Sequence, residues 1–318
     1  EAAKTCVLPG TDVTKDYLIN YNFEHSTKGY GWNGSFTDVA GPSNNKCMEA
    51  YEKKNFDIYQ VVKNANKGVY EISFNGFFRN GPNADAYAEY QALKEEGKTV
   101  EPQAWVYVNN NMTPMKNCYD EEVPVGTLYS ATTVYGPTPY VPAEDSTGYW
   151  YPNGMADAGT AFAQDMYKST AYGIVVNKGD ELRIGVKGNL GTYVWAIWDN
   201  FKMVYLGNNV EVITPLLEKA IADANTNLAK RVGKEVRPLL STAIAAGEAA
   251  LGTNDGDQMF AALSDLFATN DTVNVSVAAF NDLFDYAETI FNAVAACENA
   301  AVVEEAMTLA VTITEGID

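Results

Sequence analysis

The pattern of apolar and polar residues changes once along the chain. Before residue 208 it alternates with a period of two, as in residues 69–74, where Tyr70, Ile72 and Phe74 are separated by polar neighbours. This period is typical of a strand with one face on a core. Bounded by Gly, Asn or Pro, four more segments of this kind predict strands: 104–108, 171–176, 181–187 and 192–206.

Two connections between these strands are unusually long, residues 80–103 and 133–168, and both are rich in Tyr, Pro, Gly and Asn. Long connections in compact β domains are usually binding loops. We expect the first to contain a short helix over residues 84–94.

After residue 207 the apolar residues recur at helical spacing. Leu217, Ala220 and Ala224 share one face of a predicted helix, and Thr214-Pro215 is typical of a helix start. Three further helices are predicted, at 236–251 before Gly252, at 258–268 and at 276–297, with a last apolar stretch at 303–313. The sequence therefore predicts an all-β domain over residues 1–207 and an all-α helical bundle over residues 208–318.

Composition and charge divide at the same place. All five Trp and nineteen of the twenty Tyr precede residue 208, and the net charges of the two parts are −7 and −12. Such a negative field repels polyanions, so we exclude nucleic acid and anionic membranes as principal partners. No apolar run reaches the roughly 20 residues of a membrane span, and no signal-like segment precedes the β domain.

Few residues offer catalytic or metal-thiolate chemistry. His25 is the only histidine and has no motif around it, which favours a surface or turn position. The cysteines at 6, 47, 118 and 297 form no C-x-x-C pair; a disulfide among the first three and buried free cysteine are both open readings. No phosphate-binding loop, dinucleotide fingerprint or nucleophile elbow is present.

The segment Asn20-Tyr-Asn-Phe-Glu24, followed by Gly31-Trp32, resembles the opening of the galactose-binding-like jelly rolls that serve as carbohydrate-binding modules. Asp199-Asn200-Phe201 is similar to the closing element of the same families, and residues 151–168 resemble sandwich domains of gut-bacterial surface proteins. The resemblance covers about two-thirds of the chain. It implies a jelly-roll β-sandwich in a secreted or cell-surface protein, with any lipid anchor outside this sequence.

The last predicted strand places Asp199 at the same parity as four apolar residues, so alternation predicts that it faces the core. These residues are Trp195, Ile197, Phe201 and Met203. A buried carboxylate without a partner costs several kcal/mol, so Asp199 needs a cation, backbone N–H groups or Asn side chains. The resemblance implies a structural calcium near the first and last strands, which nominates Glu24 and Asp199 as metal ligands. A strand bend that turns Asp199 to solvent is the alternative.

Sugars stack their C–H faces on aromatic rings while polar neighbours bind their hydroxyls. Tyr149, Trp150 and Tyr151 lie consecutively in the long Pro-rich loop, and Tyr30 and Trp32 follow the first resembling motif. These five are the predicted ligand-binding residues, although packing is the alternative for each group.

The leading hypothesis is non-catalytic carbohydrate binding by the β domain, with a glycan as partner. The helical bundle is then a spacer or a docking surface for other surface proteins. A structural or adhesion protein that binds a protein partner is the alternative. A carboxylate-pair glycosidase stays open because sequence spacing cannot place two acids at the ~5 to 9 Å that the mechanism needs.

Overall fold

The computed structural model describes residues 7–81, 83–121, 123–124, 138–139, 149–177, 179–230, 234–294 and 300–315. The chain divides into two compact units, Glu1–Gly207, here the β unit, and Asn208–Asp318, here the helical unit. Within the described ranges, no helix is both long enough and apolar enough to cross a bilayer.

The described part of the β unit contains fourteen strands and three helices. The strands are β1 (Thr11–Asp12), β2 (Asp38–Ala40), β3 (Cys47–Tyr51), β4 (Phe56–Val62), β5 (Gly68–Arg79), β6 (Ala104–Val108), β7 (Asn111–Pro114), β8 (Lys116–Asn117), β9 (Val123–Pro124), β10 (Thr138–Pro139), β11 (Tyr149–Tyr151), β12 (Lys168–Val175), β13 (Leu182–Gly188) and β14 (Trp195–Gly207). The helices are α1 (Thr14–Tyr17), α2 (Asn83–Glu95) and α3 (Met155–Phe162).

Two sheets enclose the main core. The large sheet has the order β12-β5-β14-β3-β2, with β1 added to β14 and β8 to β5, and the small sheet has the order β4-β13-β6-β7. A third, short sheet has the order β10-β11-β9. The two larger sheets share one hydrophobic core because alternate residues of each strand point inward. Its members include Ile58, Ile72, Phe74, Val106, Ile184 and Trp198, all buried.

A second apolar cluster covers part of the outer face of the large sheet. It is built by α3 and by aromatic residues from the long connections, and its members include Phe77, Tyr119, Tyr151, Phe162, Tyr167 and Ile197. The connection at 133–168 thus contains a helix that alternation did not predict. Ala158, Ala161 and Phe162 lie on the buried side of α3, at the spacing expected of an amphipathic helix.

The strand β14 contains a bulge that corrects the predicted parity. Its register with β5 shifts between Asp199 and Lys202, and Asn200 has a φ of 56°. One extra residue therefore switches the side-chain alternation. Ile197 lies on the outer face with Phe77, whereas Phe201 stacks on Phe74 in the main core. Asp199 therefore faces the outer side, opposite to Phe201, and is nevertheless buried.

The described helical unit contains α4 (Val210–Leu228), α5 (Arg237–Leu251), α6 (Gly256–Val294) and α7 (Ala300–Glu315). The predicted start at Thr214-Pro215 is wrong. The side chain of Asn209 caps α4 by accepting a hydrogen bond from Val212 N at 3.0 Å, so Pro215 lies inside the helix. As predicted, α5 ends before Gly252.

The break predicted between residues 268 and 276 is also wrong, because α6 is continuous over 39 residues. The intervening segment is rich in Thr, Asn and Val, which have low helix propensity. One side-chain bond ties this segment to α4, because Asn227 Nδ2 donates to Asn270 Oδ1 at 3.1 Å.

The β unit followed by helices confirms the predicted order of the two architectures, while the jelly-roll connectivity stays a prediction. Cys47 and Cys118 are free and buried, and burial raises the pKa of the Cys118 thiol to about 12. Free buried cysteine is thus confirmed for these two; Cys6 and Cys297 lie outside the described residues.

Candidate functional site

Four residues in the segments around the β14 bulge have left-handed backbone conformations. Asn20, Phe23, Asn44 and Asn200 have φ values of 48°, 52°, 68° and 56°. Residues with a Cβ rarely adopt these values, and Phe is a genuine outlier among them. Such strain persists only where the surrounding structure holds the chain in place, and it clusters at ligand-binding and switch regions.

Glu24 joins two of these segments. Its Oε2 accepts a hydrogen bond from Asn44 N at 2.9 Å, and its Oε1 accepts one from Lys46 N at 2.6 Å. Lys46 Nζ donates to the carbonyl oxygen of Glu24 at 3.2 Å. The side chain of Glu24 therefore fixes the turn that leads into β3 against the segment that contains Phe23.

Asp199 brings a second carboxylate to the same place. It is 3% exposed, and its Oδ1 accepts a hydrogen bond from Asn200 N at 2.7 Å. Burial, the largest cause, and the charge of Glu24 together raise the pKa of Asp199 to about 8, against the lowering effect of the bond from Asn200 N. Asp199 has no ion pair among the described residues, so its ionised form is poorly compensated.

This pair fits the chemistry of a calcium ion. Calcium takes about six to eight oxygen ligands from carboxylates, carbonyls and water. No group of three or more His, Cys, Asp and Glu side chains within the described residues is arranged for a metal. Beside Glu24 and Asp199, the other ligands would therefore be backbone carbonyls or water.

Two of the predicted ligand-binding aromatics lie in the core. Trp32 is 8% exposed, packs against Phe23 and Phe201 at ring-centroid distances of 5.2 and 4.8 Å, and donates from Nε1 to Asn20 O. Tyr151 is 1% exposed and belongs to the outer cluster. Instead of facing a ligand, Trp32 and Tyr151 fill space between packed elements, which corrects their predicted role.

The other three predicted residues have different outcomes. Tyr30 is 50% exposed and stacks on His25, with ring centroids 4.0 Å apart. That contact places His25 in an exposed turn, as predicted. Tyr149 and Trp150 belong to β11 by their backbone, but their side chains lie outside the described residues.

The outer face of the small sheet carries aromatic and charged residues that were not among the predicted site residues. Tyr59, Gly185, Tyr107 and Met112 are cross-strand neighbours in one row, and a second row contains Asp57, Lys187, Trp105 and Pro114. We call these residues, together with Arg183, the small-sheet face. Alternation places them there because the intervening residues face the core.

Arg183 organises this face. Its guanidinium carbon lies 3.4 Å from the centre of the Tyr59 ring, and Nη2 donates to Asp57 Oδ2 at 2.7 Å. Its Nε donates to the Tyr107 hydroxyl at 3.0 Å, and that hydroxyl donates to Asp57 Oδ1. These mutually supporting bonds hold the polar groups of the face in fixed positions.

Trp105 is the partly exposed tryptophan of the face. Its cross-strand neighbour Lys187 places Nζ 4.9 Å from the centre of the Tyr107 ring. By contrast, Trp32, Trp195 and Trp198 are all buried. Trp105 therefore offers a partly open indole beside an ammonium group.

Gly185 allows β4 and β13 to lie close together at the centre of the small-sheet face. A Cβ at this position would lie 2.2 Å from Ile58 O and 2.9 Å from the Cβ of Tyr59. The strand β4 therefore approaches β13 closely only because residue 185 is glycine. No side chain stands at residue 185 between Tyr59 and Tyr107.

Two depressions open on either side of the β14 bulge, with volumes of about 490 and 400 Å³. Both are lined by Asn200 and Lys202. Tyr21 lines the larger one, and Asn75 and Lys168 line the smaller one. Most of their lining residues are polar or charged, so the depressions offer hydrogen-bonding groups.

No known family description matches the chain, and no curated protein is detectably similar to it in sequence. Among solved structures, the chain is similar to TmCBM61 in complex with β-1,4-galactotriose, with 16% identity over 59% of this chain and 97% of that chain, at a TM-score of 0.27.

It is also similar to the CBM51-2 and INT domains of Clostridium perfringens ZmpB, with 16% identity over 71% of this chain and 36% of that one, at a TM-score of 0.18. It is similar as well to the complex of those domains with GlcNAc, with 14% identity over 76% of this chain and 44% of that one, at a TM-score of 0.19. This chain thus spans less than half of the ZmpB chains. All three TM-scores are low, so any function must be inferred from this chain's own residues.

Proposed function

We propose that the β unit is a non-catalytic carbohydrate-binding module and that the small-sheet face is its glycan-binding surface. The observation that supports it best is the partly exposed Trp105 on the same face as the ordered Arg183–Asp57–Tyr107 network. An indole face suits the apolar C–H face of a pyranose. Arg183, Asp57 and Lys187 supply the donors and acceptors that sugar hydroxyls need.

The shape of this surface favours a chain over a single sugar. The partly exposed aromatic residues Tyr59 and Trp105 lie in two neighbouring rows, on β4 and β6, and the buried ring of Tyr107 lies in the row of Tyr59. An open sheet face has no end walls to select a terminal residue, so consecutive sugars of a polysaccharide can lie across the rows. The order in the polar network also lowers the entropic cost of binding.

We further propose that Glu24 and Asp199 hold a structural calcium. When bound, the ion would compensate the buried carboxylate of Asp199 and fix the strained turns at Phe23 and Asn44. Glu24 and Asp199 then act on stability and not on sugar contact. The helical unit serves as a spacer or docking element, and the chain belongs to a secreted or cell-surface protein.

The proposal is tested by affinity electrophoresis of the full chain in gels that contain soluble polysaccharides, with β-1,4-galactan, xylan, arabinan and mannan as the panel. The wild-type protein is expected to be retarded by at least one of them. Trp105→Ala should weaken that retardation at least tenfold, which corresponds to about 1.4 kcal/mol. Tyr51→Ala, which removes a partly exposed tyrosine from the large sheet, is the matched control and should have no effect.

Two results would overturn the assignment. Equal retardation of wild type and Trp105→Ala would remove the small-sheet face as the site, and a loss confined to Trp150→Ala would move the site to the long loop. Absence of retardation by the whole panel would favour the structural or adhesion function.

A further inference from the structure

The second half of α6 extends beyond the other long helices of the bundle. Asn208, just before α4, bonds to Asp257 at the start of α6, while Asn227 near the end of α4 bonds to Asn270. The two helices therefore run in parallel, and α4 ends level with residue 270. About 24 residues of α6 project past that point, which is about 36 Å of helix.

The packing changes at the same level. In the first part of α6, the apolar side chains are buried against α4 and α5. These are Met259, Phe260, Leu263, Leu266 and Val273. None of the described side chains of α6 after Val273 is buried. The described part of α7 also contacts α6, less extensively than α4 and α5 do.

The projecting part nevertheless carries large apolar side chains. Leu283, Tyr286 and Ile290 are 68%, 66% and 38% exposed, and their spacing of three and four residues places them on one face of α6. On α7, Val302 and Leu309 are 64% and 59% exposed and lie seven residues apart on one face. We call these five residues the α6–α7 stripe. Apolar stripes on helices are normally covered by a partner.

Charge indicates the kind of partner. From residue 238 to the end, the chain has thirteen acidic residues and no Lys, Arg or His. Asp282 and Asp285 directly precede Leu283 and Tyr286, and Glu305 lies between the two α7 residues of the stripe. Residues 271–315 contain eight carboxylates and no cation, so a second copy of α6 and α7 would place like charges against the stripe. The anionic surface of a membrane would be repelled in the same way.

We propose that the α6–α7 stripe is a docking surface for a basic amphipathic helix of another protein. Leucine-like side chains of that helix would cover Leu283, Tyr286 and Ile290, and its Lys or Arg residues would pair with the flanking carboxylates. Such a helix-in-groove contact uses anchors at spacings of three, four and seven residues, which is the spacing of the stripe. This function is independent of the glycan site.

The test measures binding of a fluorescent synthetic helix, built from Leu on one face and Lys on the other, to the full chain. A peptide with Glu in place of Lys is the charge control. The Lys peptide should bind and the Glu peptide should not. Leu283→Ala/Tyr286→Ala should weaken binding at least tenfold, whereas Leu239→Ala, at an exposed leucine of α5, should leave it unchanged.

Helical circular dichroism of the double variant checks that the unit still folds. Equal binding of the wild type and the double variant would overturn the proposal, because attraction would then come from net charge alone. Concentration-dependent dimerisation in sedimentation, lost in the double variant, would also overturn it, because the occupant would then be a second copy. So would binding of the wild type to anionic vesicles that the double variant loses.

Discussion

Asp199 and Phe201 are two residues apart in one strand, yet their side chains lie on opposite faces of the large sheet. The bulge at Asn200, with its φ of 56°, produces this reversal. Phe201 thereby enters the main core, and Asp199 is buried near Glu24 on the other side. In a strand without the bulge the two side chains would share one face. Either Asp199 would enter the main hydrophobic core with Phe201, or Phe201 would leave that core.

The first prediction concerns this bulge. Asn200→Val should lower the free energy of unfolding by about 1–3 kcal/mol, because a β-branched side chain is strongly disfavoured at positive φ. Asn200→Gly should change it by less than about 1 kcal/mol, since glycine adopts this conformation without a steric penalty. Urea unfolding of both variants gives the comparison. Similar losses for Val and Gly would show that the Asn side chain, and not the backbone conformation, matters at this position.

Calcium should stabilise the β unit through Glu24 and Asp199. We expect excess calcium to raise the melting temperature of the chelator-treated wild type. The corresponding gain in the free energy of unfolding is about 2.7 kcal/mol at a calcium concentration a hundred times the dissociation constant. Asp199→Asn should abolish the shift and should be no less stable than wild type in chelator, because asparagine is always neutral, whereas the buried carboxyl of Asp199 costs stability whenever it ionises.

Asp165→Asn is the control for the calcium experiment, because it removes a nearby carboxylate that is 67% exposed. Its calcium shift should match that of wild type. A wild-type protein whose melting temperature is the same in calcium and in chelator would contradict the metal assignment.

Asp157 should make stability depend on pH. It is 1% exposed in α3, and burial raises its pKa to about 6, from an ordinary value of 3.8. The folded protein therefore holds this proton more tightly than the unfolded chain. The contribution of Asp157 to stability is fully present below pH 3.8 and is lost as the pH rises through 6, at about 1.4 kcal/mol for each unit of pKa difference.

Asp157→Asn isolates this effect. Because asparagine does not titrate, the difference in unfolding free energy between the variant and wild type should increase in favour of the variant from pH 4 to pH 7. Urea titrations across that range measure it. A constant difference would mean that Asp157 has an ordinary pKa in the folded protein.

Gly185 should tolerate no side chain. Gly185→Ala places a Cβ 2.2 Å from Ile58 O, so β4 and β13 must separate, and we expect a loss of more than about 2 kcal/mol. Gly191→Ala is the matched control, because its Cβ would meet Val194 Cγ2 at 3.4 Å, an ordinary contact. If both variants unfold at the same urea concentration as wild type, the close approach of the two strands is incorrect.

The strands with clear alternation were predictable from the sequence. The segment predicted at 104–108 is β6, and the segment at 181–187 differs from β13 by one residue at each end. Alternation alone places Trp105 and Arg183 on outer faces. That they belong to one surface was not predictable, because β6 and β13 are far apart in the chain and pair only through the topology of the small sheet.

The errors have local physical causes. A single residue in positive φ at Asn200 reverses the parity of everything that precedes it in β14, and no periodicity reveals such an insertion. In α6, tertiary packing and a side-chain bond to α4 overcome the low helix propensity around Asn270. The burial of Tyr151 was not predictable either, since an aromatic residue in a long connection can face solvent or pack on a sheet, and Tyr151 packs in the outer cluster.

Because α6 is one continuous helix, the number of residues between two positions sets the angle between their side chains around the helix axis. Each residue advances a helix by about 100°, so the direction in which Leu283 points is set by its distance in sequence from Val273 in the bundle. Inserting two residues after Val273 would rotate the outer part by about 200°, whereas inserting seven would return it to within about 20° of its original direction. Both insertions lengthen α6. A partner that must bind the helical unit in one orientation would therefore tolerate the insertion of seven residues and not that of two.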